Sequence, residues 1–87
     1  MKPVRMFMFE SCPHCQRALS WMEECKKENP DYAAIPIEII DEKRQPNIAD
    51  QYDYYYVPCY FINENKVHEG AASKEIIRKV LSTACEL

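Results

Sequence analysis

With 87 residues, 29% of them charged, the chain has room for one compact domain, and we expect a single domain over residues 1–87. The net charge is −3 at pH 7 and both signs of charge are mixed along the sequence, which excludes the basic stripe typical of nucleic-acid-binding proteins. The apolar runs are far shorter than the roughly 18 residues of a membrane span, and the first residues lack the apolar segment of a secretion signal, so we expect no membrane partner and a cytoplasmic location.

The first two predicted elements are a buried strand over residues 2–9 and a long helix over residues 13–28. Ser11 or Cys12 can cap this helix, and Pro13 suits its first turn, where a backbone N–H has no partner in any case. One face of the helix is apolar with a period of 3.6 residues, formed by Cys15, Ala18, Leu19, Met22 and Cys25. The dipeptide that follows, Asn29-Pro30, ends the helix.

A second strand is predicted over residues 34–40, followed by a short helix over residues 46–52. Proline cannot donate to a sheet ladder, so Pro36 indicates that this strand lies at an edge of the sheet or starts irregularly. The short helix is only weakly indicated by its sequence.

The last part of the chain is predicted to form a β-hairpin and a helix. A strand over residues 59–62 turns through residues 63–65 into a partner strand over residues 66–68. Ser73 is a good N-cap for a final amphipathic helix. The order is therefore β-α-β-α-β-β-α, with the first two strands parallel through a right-handed crossover. We expect an α/β fold with a small mixed four-stranded sheet and helices on both faces.

Five cysteines are an odd number, so they cannot all be paired within one chain. In a reducing compartment a close pair is more often catalytic or metal-binding than structural, which singles out Cys12 and Cys15. A helix N-terminus favours negative charge on the Cys12 sulfur, and the thiolate is the form that attacks disulfides. Cys15 lies one helical turn further on. We predict that Cys12 is the exposed nucleophile and Cys15 the resolving thiol on the core side.

The two residues between these cysteines, Pro13 and His14, are predicted to set their reactivity. A protonated or hydrogen-bonding His14 would stabilise the Cys12 thiolate; the alternative is a solvated His14 without a role. A Cys-x-x-Cys motif is also half of a zinc site, but no second motif completes four ligands, so we predict no metal site. An iron–sulfur centre shared between two chains stays open.

Three segments of the chain resemble glutaredoxins. Phe9-Glu10-Ser11-Cys12-Pro13-His14-Cys15-Gln16-Arg17-Ala18-Leu19 is similar to their active-site segment. Tyr56-Val57-Pro58-Cys59-Tyr60-Phe61-Ile62 resembles their Thr-Val-Pro segment and the strand after it. His68-Glu69-Gly70-Ala71-Ala72-Ser73 falls where they carry a Gly-Gly turn and a helix cap. These landmarks cover nearly the whole chain in the family's order. Thioredoxins proper are less similar, because no Trp precedes Cys12 and Met6 occupies the place of their buried aspartate.

The glutaredoxin resemblance implies the thioredoxin fold and a thiol–disulfide oxidoreductase. It implies a cis Val57–Pro58 bond beside Cys12, which presents the Val57 backbone to an extended substrate. The substrate-binding residues that it implies are Val57, Pro58, Tyr56, Gly70 and Ser73.

The residues that hold glutathione in glutaredoxins are altered here. Phe9 replaces a lysine, Tyr54 or Tyr55 replaces a basic or amide residue, and Ser73 replaces an aspartate. We therefore expect a protein disulfide as substrate, with glutathione mixed disulfides as the alternative. We expect no tightly bound cofactor, a monomer, and an upstream reductant that is glutathione or a thioredoxin-reductase-type enzyme. A non-enzymatic metal- or cluster-binding module, or a redox sensor, is the alternative from another class.

Other residues near the presumed site allow two interpretations each. Cys59 is either a third redox-active thiol or a small buried side chain, and burial is the expectation. The tyrosines before Pro58 either rim a groove for a partner or pack beneath the sheet; they are Tyr52, Tyr54, Tyr55 and Tyr56.

Overall fold

The computed structural model describes residues 1–86. Along the chain these form strand β1 (Val4–Met8), helix α1 (Pro13–Glu28), a short 3-10 helix (Pro30–Ala34), strand β2 (Ile37–Asp41), helix α2 (Pro46–Ala49), strands β3 (Cys59–Ile62) and β4 (Asn65–Glu69), and helix α3 (Lys74–Cys85). Of the helices within residues 1–86, none combines the length and the apolar character that crossing a membrane requires.

The four strands form one mixed sheet in the order β2-β1-β3-β4. Strand β1 runs parallel to β2, with Val4 opposite Ile37, and antiparallel to β3. Strand β4 is antiparallel to β3, with a bulge beside Tyr60 and Phe61. This arrangement confirms the predicted α/β fold with a mixed four-stranded sheet.

Alternation along the strands gives the sheet two apolar faces. On one face, α1 and α3 pack over the larger core cluster, which includes Val4, Met6, Tyr60, Ile62, Cys12, Cys15, Ile77 and Leu81. On the opposite face, Ala49 of α2 contributes to a smaller cluster with Phe7, Ile40, Cys59 and Phe61. Cys12 and Cys15 therefore lie on the face that carries the two long helices.

Helix α1 has the bounds that the sequence predicts, whereas the shorter elements differ. The second strand begins at Ile37 rather than at residue 34, because Pro30 opens a 3-10 helix capped by Asn29, whose Oδ1 accepts the Asp31 N–H at 3.1 Å. Strand β1 is limited to Val4–Met8, and α2 ends at Ala49 rather than at residue 52. Strand β2 lies at an edge of the sheet with Pro36 just before it, in agreement with the interpretation of that proline.

Helix α3 starts at the predicted cap. The Ser73 hydroxyl oxygen accepts the Ile76 N–H at 3.2 Å. The Lys74 ammonium donates to carboxylates of Glu24 and Glu28, which joins the start of α3 to α1 across the surface. These contacts join the start of α3 to the C-terminal part of α1.

Candidate active site

Cys12 is itself the N-cap of the 16-residue helix α1. Its backbone is extended, and its Sγ accepts the backbone N–H of Cys15 at 3.3 Å. The sulfur thus takes the place of the oxygen in an ordinary serine or threonine cap. Because the first N–H groups of a helix carry partial positive charge, this position favours an anionic sulfur.

Both cysteines of the pair are more buried than the sequence suggests. The prediction of an exposed nucleophile is wrong: Cys12 is only 5% exposed and Cys15 is fully buried. The reason is that both belong to the larger core cluster, against which the partly buried Phe9, Val57 and Ala72 also pack. Of the pair, Cys12 is the residue that keeps some accessible surface.

Cys15 is held as a thiol. Burial raises its pKa well above the ordinary value, and the hydrogen bond to Cys12 and the negative charge of the Cys12 sulfur raise it further. Two of these three causes depend on Cys12. When Cys12 is bound to another sulfur it carries no charge, and the proton of Cys15 becomes easier to remove.

His14 points to solvent and is joined to Arg17. The Arg17 guanidinium lies 2.7 Å from His14 Nδ1. A guanidinium can only donate, so Nδ1 is the acceptor and the proton of the neutral ring is on Nε2. Within residues 1–86, no hydrogen bond connects His14 to Cys12 Sγ, whose N–H donor is Cys15. Arg17 is a cation that the sequence interpretation overlooked, although its i, i+3 spacing from His14 indicates the contact.

The loop before Cys12 is fixed from two sides. Gln16 of α1 donates to the Glu10 carbonyl at 2.6 Å, and the Glu10 carboxylate pairs with Arg44 at 2.6 Å. Lys43 Nζ lies 4.1 Å from the centre of the Phe9 ring. The negative charge of Glu10, close to Cys12 in sequence, is therefore matched by a cation from the loop after β2.

The Val57–Pro58 peptide bond is cis, as the resemblance implies. Val57 packs against the core cluster that contains Cys12, and Pro58 is fully buried. The Gly70 N–H donates to the Pro58 carbonyl at 2.9 Å, and Gly70 has a φ of 95°, which disfavours other residues. The Val57 N–H and carbonyl have no hydrogen-bond partner within residues 1–86.

The four tyrosines divide into two pairs, of which one packs beneath the sheet and the other is exposed. Tyr52 and Tyr54 pack beneath the sheet, each with its ring centre 4.8 Å from that of Phe7. Tyr55 and Tyr56 are 84% and 70% exposed.

The Tyr55 and Tyr56 backbone N–H groups both donate to Oε2 of Glu69. Glu69 was not a candidate in the sequence analysis, because contacts between residues 13 and 14 positions apart leave no local signal. Of the other predicted contacts, Ser73 uses its side-chain oxygen as the cap of α3.

The other three cysteines are not part of the Cys12–Cys15 pair. Cys59 is fully buried in the cluster on the opposite face of the sheet, which agrees with the expected burial, and this burial raises its pKa to about 12. Cys25 is buried in α1, and Cys85 is half-buried at the end of α3. In the part of the chain that the structure describes, no three His, Cys, Asp or Glu side chains are grouped closely enough to hold a metal ion.

Comparison with known proteins gives concordant results. Residues 4–82 match the family model described as "Thioredoxin domain". A thioredoxin of Methanocaldococcus jannaschii is 35% identical over 79 residues, covering 88% of this chain and 91% of that protein. The oxidised thioredoxin of Plasmodium falciparum has a similar fold, with a TM-score of 0.73 at 17% identity over 97% of this chain and 81% of the other. An uncharacterised thioredoxin-like protein of Clostridium perfringens gives a TM-score of 0.68 at 22% identity over 97% and 71% of the two chains.

The family match covers all of the elements from β1 to the greater part of α3, including both cysteines and the cis proline. The fold implied by the glutaredoxin resemblance is confirmed, although none of these three relatives bears the name glutaredoxin. The chain belongs to the thioredoxin-domain family.

Proposed function

We propose that this protein is a thiol–disulfide oxidoreductase that reduces or exchanges protein disulfides through Cys12 and Cys15. The observation that carries the proposal is the position of Cys12 Sγ, which accepts the Cys15 N–H at 3.3 Å at the start of a long helix. The thiolate is stabilised there, and its neighbouring thiol lies within hydrogen-bonding reach. Membership of the thioredoxin-domain family supports the same reaction.

In the first step the Cys12 thiolate attacks one sulfur of the substrate disulfide. A bond forms between Cys12 and that sulfur, and the second substrate sulfur leaves as a thiolate that takes up a proton from water. Because Cys12 is now bonded to the substrate sulfur, it carries no negative charge, and the hydrogen bond between the Cys12 sulfur and the Cys15 thiol is lost. Both changes lower the pKa of Cys15 from its raised value, so the resolving thiol is activated when it is needed.

In the second step the Cys15 sulfur gives up its proton and attacks Cys12 Sγ. The Cys12–Cys15 disulfide forms, and the bond between Cys12 and the substrate breaks. The first substrate sulfur leaves as a thiolate and takes up the proton that Cys15 has released. The substrate has gained two electrons and two protons, while the enzyme has lost two electrons and the Cys15 proton, the other proton having come from water. An upstream reductant, glutathione or a thioredoxin-reductase-type enzyme, returns the pair to the dithiol. A reducing compartment such as the cytoplasm is the setting that we expect for this cycle.

A polypeptide substrate fits the backbone groups beside the cysteines. The N–H and carbonyl of Val57 have no partner within residues 1–86, so an extended substrate segment can pair with them as an added strand does. Val57 packs on the core cluster that contains Cys12. Pro58 and Gly70 support this loop through their hydrogen bond, and Pro13 holds the first turn of α1 below the sulfur.

Glutathione mixed disulfides are the second candidate substrate. Lys43, whose ammonium lies over the Phe9 ring, brings a cation close to the position where glutaredoxins have a lysine. The Tyr54 ring, in contrast, is packed against Phe7, and its hydroxyl donates to Glu42. Ser73 is engaged as a helix cap. The glutathione contacts are thus only partly replaced, and a protein disulfide remains the better-supported substrate.

The test compares insulin reduction with reduction of a glutathione mixed disulfide in the wild type, Cys12→Ser and Cys15→Ser. We expect Cys12→Ser to abolish both activities. We expect Cys15→Ser to abolish insulin turnover and to accumulate the mixed disulfide. Cys85→Ser is the matched control, because it removes a thiol at the end of α3, and it should keep both activities.

Each alternative has its own outcome in this test. Full insulin reduction by Cys12→Ser would refute the assignment of the nucleophile. Glutathione-dependent activity that survives in Cys15→Ser indicates a monothiol glutaredoxin mechanism. Stoichiometric iron or zinc in the purified protein, with slow disulfide exchange, would favour the metal- or cluster-binding module instead.

A further inference from the structure

The Tyr55–Tyr56 pair, the two exposed tyrosines directly before Val57, belongs to neither apolar cluster within residues 1–86. The rings are 84% and 70% exposed, whereas Tyr52 and Tyr54 are packed with Phe7. Tyrosine provides a large, amphipathic contact area with few rotatable bonds, which is why it is favoured in protein interfaces. The pair is continuous in sequence with the backbone proposed to bind the substrate.

The backbone that carries this pair is held by one carboxylate. Oε2 of Glu69 accepts the N–H groups of both Tyr55 and Tyr56, the second at 3.0 Å. Oε1 of Glu69 accepts from Lys66 Nζ at 2.8 Å, and the same ammonium donates to the Asp53 carbonyl at 3.1 Å. Strand β4 therefore fixes the segment from residue 53 to residue 56.

The protonation state of Glu69 agrees with this role. The Lys66 ammonium and the two backbone N–H groups lower its pKa to about 2, so the carboxylate is charged at neutral pH. An ionised acceptor forms stronger hydrogen bonds to N–H groups than a neutral one. The next residue, Gly70, donates to the Pro58 carbonyl at 2.9 Å, which continues the attachment past Val57.

We propose that Glu69 is a positioning residue that holds Tyr55 and Tyr56 as a preformed contact surface for substrates whose cysteine is flanked by aromatic or large aliphatic side chains. This inference rests on the proposed function, since it specifies the protein disulfides that the site prefers. Holding the loop before binding reduces the entropy lost on association, so the effect belongs to substrate binding rather than to the sulfur chemistry.

The experiment uses two peptide disulfides of equal length and charge. In one the cysteine is flanked by Phe and Leu, and in the other by Ser and Asn. Pre-reduced protein is mixed with excess peptide, and the half-saturating concentration and the limiting rate are measured separately. Bis(2-hydroxyethyl) disulfide, which has no side chains to contact the tyrosines, reports the reactivity of Cys12.

For the wild type we expect a half-saturating concentration about fivefold lower for the Phe/Leu peptide, the effect of one or two aromatic contacts. Glu69→Gln and the double variant Tyr55→Ser, Tyr56→Ser should both reduce this preference to less than about twofold. Their limiting rates should change less than their half-saturating concentrations. Glu64→Gln, which removes a carboxylate from the turn of the same hairpin, should retain the wild-type preference.

Equal half-saturating concentrations for the two peptides in an active wild-type protein would overturn this inference and leave the proposed function intact. A wild-type preference that persists in the double tyrosine variant would also overturn it. Wild-type protein that reacts with neither peptide nor with the small disulfide would overturn both proposals. If Glu69→Gln does not fold, the double variant decides the question, because it leaves the Glu69 carboxylate in place.

Discussion

At the scale of single residues, the site depends on a sulfur that also serves as a helix cap. Cys12 Sγ accepts the Cys15 N–H, so the same contact starts α1 and places the partial positive charge of the helix N-terminus against the sulfur. Serine is an even better N-cap than cysteine. Cys12→Ser therefore keeps the helix while removing the nucleophile, and its loss of activity reports on chemistry rather than on folding.

Cys15 and Cys59 are fully buried, whereas Cys12 keeps some accessible surface at the start of α1, which gives a prediction for alkylation at pH 8. Burial raises the pKa of Cys15, and it raises the pKa of Cys59 to about 12, so both are thiols at this pH. We expect iodoacetamide to modify Cys12 of the reduced folded protein first, with Cys15 and Cys59 at least about tenfold slower. Peptide mapping by mass spectrometry measures the order.

The control for this alkylation experiment is the urea-unfolded protein, in which all five cysteines should react at similar rates. Modification of Cys59 as fast as Cys12 in the folded state would contradict the assignment of Cys59 as a buried core residue. It would revive the hypothesis of a third redox-active thiol.

At the scale of elements, the sequence predicted best where the signal is local. Helix α1 was correctly bounded because its cap, its apolar period and its terminating proline all lie within the segment. Ser73, the N-cap, correctly predicts the start of α3 from a local signal in the same way. The start of β2 is predicted three residues early because the sequence of residues 34–36 does not show that the 3-10 helix capped by Asn29 extends to Ala34.

The candidate site follows the same rule. The Cys-x-x-Cys motif is recognisable from four consecutive residues, whereas the cis proline is implied only by the family resemblance. The burial of Cys12 was missed because it follows from a core cluster whose members come from distant parts of the chain, from β1 to α3. The Glu69 contacts were missed for the same reason, since a carboxylate on β4 and two amides of a loop share no periodicity.

The cap of α3 gives a prediction for stability. Ser73→Ala removes the oxygen that accepts the Ile76 N–H, and we expect the free energy of unfolding to fall by about 1 kcal/mol. Ser73→Asp supplies another acceptor at the same place and should remain within about 0.5 kcal/mol of the wild type. Urea unfolding followed by circular dichroism measures both. Equal losses in the two variants would show that the hydroxyl contributes something other than the cap.

At the scale of the whole molecule, the fold buries several cysteine thiols and tyrosine hydroxyls in their neutral, protonated form. Burial is the largest cause of the raised pKa of Cys15, Cys59, Tyr54 and Tyr60. The surface carboxylates behave in the opposite way. The pKa of Glu69 is lowered to about 2 by Lys66 and two N–H groups, and that of Glu28 is lowered by Lys74 and Arg78. At neutral pH the buried acids are therefore neutral and these surface carboxylates are charged.

The buried cysteines and tyrosines and the surface glutamates together predict how the free energy of unfolding depends on pH: a plateau near neutral pH with a decline on each side. In the unfolded chain, cysteine and tyrosine lose their protons near their ordinary values of 9.0 and 10.0, before the buried groups do, so the free energy of unfolding should fall as pH rises above about 9. Unfolded glutamate takes up a proton near 4.5, before Glu69 does, so the free energy should also fall as pH drops from about 5 towards 2.

Urea unfolding between about pH 2.5 and 10.5, a range that extends past both expected edges of the plateau, tests this prediction. Cys12→Ser is the appropriate background, because it can form no Cys12–Cys15 disulfide. In that background Glu69→Gln should flatten the acid limb and Cys59→Ala the alkaline limb, while Glu64→Gln should change neither. The contradicting outcome is a free energy of unfolding that rises with pH above 9. It would mean that the buried cysteines and tyrosines ionise more easily in the folded protein than in the unfolded chain. The assignment of Cys15 and Cys59 to a closed core would then be wrong.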